Sequence, residues 1–283
     1  MSRNCGDKKL AKLRERKVGL ALGGGAARGL AHIGVLVVLE KEGIPIDVIA
    51  GTSAGAAIGA LYAQGKDAGR IKELATDMNW RKLTPFFDLA LPKTGFVRGK
   101  RIKDLLRSII GDIKFSDLKI PLACVATDIN TGEEVVIKEG SVLEGVRASI
   151  SIPVIFTVVK EKGRYLTDGG LVNPVPVSVL KQMGANFIIA VNVIPDVKDR
   201  VHQVSKGQKR GFKELNIFGV LMQSIYIATY SLVRPSLEAA DIVIEPQMVD
   251  IGYGDFRRAQ ECILQGELAT QNSIPAIKRQ LKA

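Results

Sequence analysis

Two segments of this chain each carry an apolar strand through a glycine-rich turn directly into a helix, and no other feature restricts the fold as strongly. The first reads LALGGGAARGLAHIG over residues 20–34, and the second reads IAGTSAGAAIGALYA over residues 49–63. Strands that alternate with helices form parallel sheets, because a parallel neighbour requires a long crossover connection. The two segments therefore predict an α/β fold.

The rest of the chain continues this alternation. Strands are predicted at Val18–Leu22, 47–50, on both sides of a hairpin turn at 130–132, up to Asp168, and over 186–194. Helices are predicted over 30–42, from the second glycine turn to Tyr62, over 67–78, over 99–110, and up to Gly184. This order predicts a three-layer α/β/α fold with a central, mainly parallel sheet.

Length and charge distribution suggest how the chain is organised. With 283 residues, 46% of them apolar, it can bury the core of one large domain, which we place at 18–283. The motifs discussed below lie within 18–195, and a helical C-terminal part is expected over about 215–283. Residues 1–17 form a basic N-terminal segment, and 196–214 are expected to be a polar, mostly basic loop.

Cysteine and histidine usage bears on the compartment and on metal binding. The three cysteines, Cys5, Cys124 and Cys262, are far apart, which favours reduced thiols in a cytoplasmic protein. The first 17 residues carry seven Lys and Arg residues and no apolar run, so no secretory signal peptide is expected. Because the chain has only His32 and His202 and no ligand spacing, we predict no metal and no cofactor.

The second turn has the pattern G-x-S-x-G around Ser53. Gly51 and Gly55 would clear the space in which the end of the strand and the start of the helix otherwise collide. The serine Oγ would then project into a cleft at the positive end of a helix. A glycine-rich turn without catalytic function is the alternative, so Ser53 is a candidate nucleophile that requires an oxyanion-binding group and a base.

The first turn, GGGAARG, directs unpaired backbone N–H groups toward the start of a helix. A dinucleotide site would need G-x-G-x-x-G, but Arg28 stands where the third glycine of a pattern counted from Gly23 should be. An oxyanion hole needs only two or three amides beside a nucleophile, and it is the better interpretation. Arg28 could steady this loop, attract an anionic head group or simply be solvated.

Asp168 in TDGG follows a predicted strand and is the candidate base, although an Asp-Gly turn is also common in loops. Gly23–Gly29, Gly51–Gly55 and Asp168–Gly170, in this order, resemble the three signatures of the patatin-like phospholipase family. LVNPVPV after Asp168 and VRASISIPVIF at 146–156 are also similar to bacterial members. The resemblance covers about 18–195, and the chain departs from the common glycine-rich pattern at Ala26.

The resemblance implies a serine acyl-ester hydrolase with a patatin-like fold, a Ser-Asp dyad and no metal. Ser53 would attack the ester carbonyl, Asp168 would accept its proton, and the amides of Gly23, Gly24 and Gly25 would form the oxyanion hole. The motif would be supported by further residues: Arg28, Gly29, Gly51, Gly55, Gly169 and Gly170. The implied substrate is a phospholipid, a lysophospholipid or a simple ester.

Two other functions stay open from the residues alone. Chain order permits an α/β-hydrolase triad of Ser53, Asp168 and His202, although His202 lies in the basic segment with no strand before it. A nucleotide-binding regulator would use the glycine loop for phosphate and Ser53 for structure. His32, nine residues after the loop begins, is interpreted as a helix-packing histidine.

A net charge of +11 favours an anionic partner. The chain has few aromatic residues and no recognisable nucleic-acid-binding motif, so we do not expect it to bind nucleic acid. We expect peripheral contact with the inner face of an anionic membrane instead. Residues 215–233 carry no charge, but polar residues recur every seven positions at Asn216, Gln223 and Tyr230. This pattern predicts a core helix, or alternatively a helix against a membrane surface, rather than a transmembrane span. The sequence does not indicate an oligomeric state.

Overall fold

The computed structural model describes residues 16–78, 99–153, 155–196 and 217–282. Most of the predicted basic segment 1–17 and nearly all of the predicted loop 196–214 lie outside these residues, as does His202.

A single mixed sheet forms the centre of the described part of the chain. Its strand order is β5-β6-β3-β2-β1-β7-β8, and β4 pairs with β3. The strands are β1 Val18–Leu22, β2 Val48–Thr52, β3 Leu122–Asp128, β4 Glu134–Ile137, β5 Val159–Glu161, β6 Arg164–Asp168, β7 Phe187–Val191 and β8 Ile242–Ile244.

Five neighbouring strands of the sheet, β3, β2, β1, β7 and β8, run parallel. Strands β4 and β6 pair antiparallel with β3, and β5 pairs antiparallel with β6. On one edge of β3, Cys124 to Thr127 pair with β4. The other edge is shared, because β2 pairs with β3 up to Val125 and β6 pairs with it from Ala126 onward. The C-terminal ends of β2 and β6 therefore meet beside the middle of β3.

Helices cover both faces of the sheet unequally. One face, with Leu20, Ile49 and Ile189, packs against α1 to α5 and α8, whereas the other, with Ala21, Ala50 and Ile188, packs against α6 and the end of α7. The helices are α1 Ala31–Lys41, α2 Ala54–Ala63, α3 Ala68–Asp77, α4 Gly99–Ile110, α5 Val142–Ser149, α6 Val177–Gln182, α7 Ile217–Leu237 and α8 Ala259–Lys282. The predicted three-layer α/β/α fold is confirmed, with a thin second layer.

The predicted strands and helices of the first 78 residues, the hairpin at 130–132 and the apolar strand β7 are all present. Sequence reasoning missed α5, the short strand β5 and the edge strand β8. The last two are three residues long, which is too short for a hydrophobic period to be recognised.

Helices α1 and α8 cross in close contact at two glycines, Gly34 and Gly266. A Cβ atom added to Gly34 would lie 2.0 Å from the carbonyl oxygen of Ile263, and one added to Gly266 would lie 2.0 Å from that of Ala31. Neither backbone oxygen can yield to a side chain, so the two helices approach to a distance that only glycine permits.

The prediction that the uncharged segment 215–233 forms a core helix is wrong. Among the described side chains of α7, only Tyr226 and Val233 are fully buried, whereas Val220, Leu221 and Ile227 are 41–57% exposed. The helix lies on the outside of the molecule because its contacts come from one narrow stripe. None of the described helices combines the length and apolarity needed to cross a bilayer.

Candidate active site

Ser53 stands in a strained turn between β2 and α2. Its backbone has φ 53° and ψ −119°, a conformation that non-glycine residues adopt rarely and at a cost of about 1–3 kcal/mol. A Cβ on Gly55 would lie 2.0 Å from the oxygen of Leu22, and one on Gly51 would lie 2.5 Å from the Cα of Ala56. The two glycines are therefore required by backbone contacts on both sides of the serine.

The strand arrangement brings Asp168 to this turn. Thr52 pairs with Val125 and Asp168 pairs with Ala126, so the two strand ends occupy successive positions along one edge of β3. The Oγ of Ser53 donates a hydrogen bond of 2.6 Å to Oδ2 of Asp168, and both residues are buried. Serine and carboxylate are thus in direct contact although 115 positions separate them in the chain.

The surroundings of Asp168 hold the carboxyl group in place and tune its acidity. Its Oδ1 accepts a hydrogen bond of 2.8 Å from the amide of Gly170, and its backbone oxygen accepts one of 2.8 Å from the Thr127 hydroxyl. Burial raises the pKa of Asp168 to about 6, although the hydrogen bonds from Ser53 and Gly170 oppose this rise. A Cβ on Gly169 would lie 2.3 Å from the oxygen of Val125, which explains the first glycine of the motif.

The glycine loop lies against Ser53, but its amides are not equally available. The N–H of Gly23 donates to the carbonyl of Val191 at 3.1 Å, and that of Gly24 donates to the carbonyl of Pro174 at 2.9 Å. Within the described part of the chain, the amide of Gly25 has no such acceptor. Of the three amides predicted for the oxyanion hole, those of Gly23 and Gly24 are thus already bonded to carbonyl groups of the protein.

His32 is a positioning contact of this loop as well as a packing residue. It is fully buried, and its Nε2–H donates to the carbonyl of Gly23 at 2.7 Å. Burial lowers the pKa of His32 to about 4, so the ring is neutral at physiological pH, and its Nε2–H is bonded to the Gly23 carbonyl.

One alternative from the sequence was that Arg28 is solvated, and the structure shows that this is wrong. Its side chain is fully buried, Nε donates to the carbonyl of Ile251 at 2.6 Å, and the guanidinium lies 4.3 Å from the ring centroid of Tyr253. The Tyr226 ring of α7 lies 6.0 Å away. Arg28 thereby joins the glycine loop to the C-terminal part of the chain, while Gly29 gives Ala54 of α2 its space.

Sequence reasoning assigned no role to Ser149, at the end of α5. Its hydroxyl accepts a hydrogen bond of 2.8 Å from the amide of Ser53 and donates one of 2.5 Å to the carbonyl of Val125. It therefore fixes the strained turn to β3. Ser149 lies in the segment VRASISIPVIF, but that segment does not reveal this contact, which exists because α5 packs on the sheet.

Two cavities meet at Ser53. Cavity 1, of about 190 Å³, lies among α1, α2, α3 and α4, and cavity 2, of about 240 Å³, lies between the glycine loop, Asp168 and α7. Both contain Ala26, Ser53 and Ile152 in their walls. Within the described ranges, no group of three His, Cys, Asp or Glu side chains is placed to hold a metal ion.

Comparison with known proteins identifies the family. Residues 20–181, more than half of the chain, match the family described as Patatin-like phospholipase. The chain belongs to this family. Membership agrees with the order in which the three motifs occur in the sequence.

Three relatives illustrate the similarity. Patatin-like phospholipase domain-containing protein 6 of Homo sapiens is 38% identical over 183 residues, which is 62% of this chain and 13% of that protein. An uncharacterized NTE family protein of Mycobacterium tuberculosis is 37% identical over 180 residues, 62% of this chain and 49% of its own. Lysophospholipase NTE1 of Meyerozyma guilliermondii is 31% identical over 270 residues, 88% of this chain and 18% of that protein. The chain thus spans about half or less of the length of these relatives.

The fold is also similar to that of a solved structure, VipD from Legionella pneumophila. The TM-score is 0.53 at 15% sequence identity, and the match covers 93% of this chain and 67% of that one. This likeness concerns the α/β architecture and not the chemistry.

Proposed function

We propose that the chain is a lipid acyl-ester hydrolase in which Ser53 is the nucleophile and Asp168 the base. The observation that carries this proposal is the 2.6 Å hydrogen bond from the Ser53 Oγ to Oδ2 of Asp168. A carboxylate in this position can accept the hydroxyl proton directly, without an intervening imidazole. Its pKa of about 6, raised by burial, makes Asp168 a stronger base than an exposed aspartate while leaving it ionised at neutral pH.

In the first half of the reaction, the Ser53 oxygen attacks the ester carbonyl carbon as its proton passes to Asp168. The tetrahedral intermediate then collapses, the bond between the carbonyl carbon and the alcohol oxygen breaks, and Asp168 returns the proton to that oxygen. The alcohol leaves, and the acyl group stays on Ser53 as an ester.

In the second half, Asp168 takes a proton from a water molecule that attacks the acyl-enzyme. The bond between the acyl carbon and the Ser53 oxygen breaks, and the proton passes from Asp168 to that oxygen. The fatty acid is released, and both residues return to their starting state.

The developing oxyanion requires backbone donors beside Ser53. Among the described residues, the amide of Gly25 has no backbone acceptor. Gly25 lines cavity 2, and Ala26, next in the chain, lines both cavities. We therefore assign the oxyanion hole to the amides of Gly25 and Ala26. His32 and the bonds of Gly23 and Gly24 fix the loop in advance, so that little reorganisation accompanies the reaction.

A lipid ester fits this site better than a nucleotide. The walls of cavity 1 carry apolar side chains apart from Ser53, and the relative from Meyerozyma guilliermondii is named a lysophospholipase. A phosphate would need several free amides, yet those of Gly23 and Gly24 are used within the protein. Family membership and the apolar cavity together support a phospholipase, lysophospholipase or related esterase.

Three single variants and one double variant test the dyad against the triad with His202. Ser53→Ala removes the nucleophile and Asp168→Asn the base, so hydrolysis of p-nitrophenyl esters should fall nearly equally far in both. The double variant should be no worse than Ser53→Ala, because the residues act as one unit. His202→Gln should keep most of kcat/KM. With thermal stability as the control, a fall of about a hundredfold or more, about 2.7 kcal/mol, in His202→Gln would favour the triad.

We further propose that the enzyme is cytoplasmic and touches anionic membranes peripherally. The net charge of +11, six Lys and Arg residues between 198 and 213, and the exposed apolar residues of the adjoining α7 support this. Binding to phosphatidylglycerol vesicles in co-sedimentation should weaken as salt rises, since charges are screened beyond about 8 Å at physiological salt. Equal binding to neutral vesicles would argue against the electrostatic contribution.

A further inference from the structure

The two cavities at Ser53 differ in chemistry and in their relation to the base. Among the described residues that line cavity 1, Ser53 is the one with a polar side chain. The others come from the glycine loop, from α1 to α4 and the end of α3, from 150–156 and from Phe256. Cavity 2 contains Asp168 and also Thr229, Tyr226 and Tyr253. Asp168 is not part of the wall of cavity 1.

Proton transfer decides which part of an ester enters which cavity. Asp168 must return its proton to the alcohol oxygen as the ester bond breaks, so that oxygen has to lie on the Asp168 side of Ser53. The acyl chain remains bonded to Ser53 and extends to the other side. A chain of methylene groups has no hydrogen bonds to lose in a dry apolar cavity, and each buried CH₂ contributes about 0.8 kcal/mol.

From this geometry we propose that cavity 1 binds the fatty acyl chain and cavity 2 binds the alcohol leaving group, and that Ala57 sets the acyl-chain length. The assignment rests on the proposed hydrolase function. Ala57 lies one helical turn after Ser53 on α2 and lines cavity 1. Its methyl group leaves open the space directly beyond the nucleophile, which a larger side chain would fill.

Cavity 2 offers the leaving group two polar side chains that cavity 1 lacks. These are the carboxyl group of Asp168 and the hydroxyl group of Thr229; the Tyr226 hydroxyl is bonded to the carbonyl of Pro195, and most of the remaining lining is apolar. The substrate class that matches both cavities is an ester of one long fatty acid with a glycerol-type alcohol.

A narrowing variant in each cavity provides the test. Ala57→Leu should lower the kcat/KM ratio of p-nitrophenyl palmitate to p-nitrophenyl butyrate by about tenfold or more, because several CH₂ groups lose their site. Thr229→Leu should instead lower the ratio of glyceryl monobutyrate to ethyl butyrate and keep the acyl-chain ratio. Ala228→Leu, the same kind of enlargement on the exposed face of α7 and in the wall of neither cavity, is the matched control for both.

The outcomes separate this assignment from the function itself. The assignment is wrong if Ala57→Leu lowers kcat/KM equally for the palmitate and butyrate esters. It is also wrong if Thr229→Leu changes the ratio of these two kcat/KM values. Should Ala57→Leu fail to fold, Ala57→Val and Leu74→Ala, which widens cavity 1, replace it. Leu74→Ala should raise the kcat/KM ratio of p-nitrophenyl palmitate to p-nitrophenyl butyrate.

A binding measurement keeps the proposal testable without turnover. Calorimetric titration of palmitate should show binding to Ser53→Ala, and weaker binding when Ala57→Leu is added. Wild-type protein that hydrolyses no ester but binds palmitate in an Ala57-dependent way would overturn the hydrolase proposal and keep the acyl site. Palmitate binding that Ala57→Leu does not weaken would overturn the acyl site.

Discussion

The two long C-terminal helices, α7 and α8, reverse what their sequences suggest. The sequence of α7 carries one charged residue, Arg234, yet only two of its described side chains are fully buried. The sequence of α8 carries five charged residues and buries seven positions. The buried positions of α8 are Ala259, Cys262, Ile263, Gly266, Thr270, Ile277 and Leu281.

The difference shows that burial of a helix depends on the surface it meets as well as on its own hydropathy. On α8, Gly266 lies against the carbonyl of Ala31, and Gly34 of α1 lies against that of Ile263, so the two backbones approach closely. On α7, Tyr226 and Val233 form a narrow inward stripe over cavity 2 and Ile194. We conclude that α8 is part of the core, whereas α7 forms the outer wall of the proposed leaving-group cavity and exposes apolar residues to solvent.

The largest expected effect is at the α1–α8 crossing. Gly266→Val places a side chain where a Cβ atom alone would lie 2.0 Å from the oxygen of Ala31. We expect a loss of about 3 kcal/mol or more in the free energy of unfolding, measured by urea denaturation. Gln271→Val, on the exposed side of α8, is the control. Equal stability of both variants would mean that α8 is not held as a core helix.

The pH dependence of hydrolysis reports how well α7 keeps water from Asp168. Burial raises the pKa of Asp168 to about 6, and the base must be ionised, so kcat/KM should fall about tenfold per pH unit below this value. Above it the rate should level off. Tyr226→Ala removes a side chain of α7 from the wall of cavity 2. The fall in kcat/KM should then shift toward lower pH, because hydration favours the carboxylate. If kcat/KM falls at the same pH in Tyr226→Ala as in the wild type, α7 does not desolvate Asp168.

A smaller effect is expected from the hydrogen bond that anchors α7. The Tyr226 hydroxyl donates to the carbonyl of Pro195 at 2.9 Å, and the residue is fully buried. Tyr226→Phe should lower the free energy of unfolding by about 1 kcal/mol. Tyr165→Phe, at an exposed position of β6, should change it much less. The result would be contradicted by equal values for the two variants in denaturant titrations.

The smallest effect on stability is expected on the outer face of α7. Ile227 is 57% exposed, so Ile227→Gln should change the free energy of unfolding by no more than about 0.5 kcal/mol. The same variant should weaken co-sedimentation with phosphatidylglycerol vesicles, since an apolar side chain is lost from the proposed lipid-facing surface. Destabilisation well beyond this range would assign the outer face a structural role instead.

Local features of the site were predictable because their causes are local. Gly51 and Gly55 bracket a strained serine, and that steric requirement is visible in five consecutive letters. The three motifs and their order also indicated the family. Ala26 departs from the glycine pattern, and its φ of 50° marks a position at which glycine would be less strained.

Other parts of the site depend on contacts between distant segments. The amides of Gly23 and Gly24 looked available in the sequence, but Val191 and Pro174 accept their hydrogen bonds. Ser149 lies in the segment VRASISIPVIF, but its hydrogen bond with the amide of Ser53 arises from the packing of α5 and is not visible in that segment. Which donors are free cannot follow from a glycine count, because it depends on which carbonyls the fold brings near.

The sequence by itself determined the α/β class, the strained turn at Ser53 and the glycine beside Asp168, since these follow from steric limits within a few residues. Only the tertiary structure decided that β2 and β6 share one edge of β3, which places the Ser53 Oγ 2.6 Å from Asp168 Oδ2. It also decided that α8, and not the more apolar α7, lies in the core. The physical reason is that strand pairing and helix burial depend on the complementarity of surfaces far apart in the chain, whereas backbone strain is set by immediate neighbours.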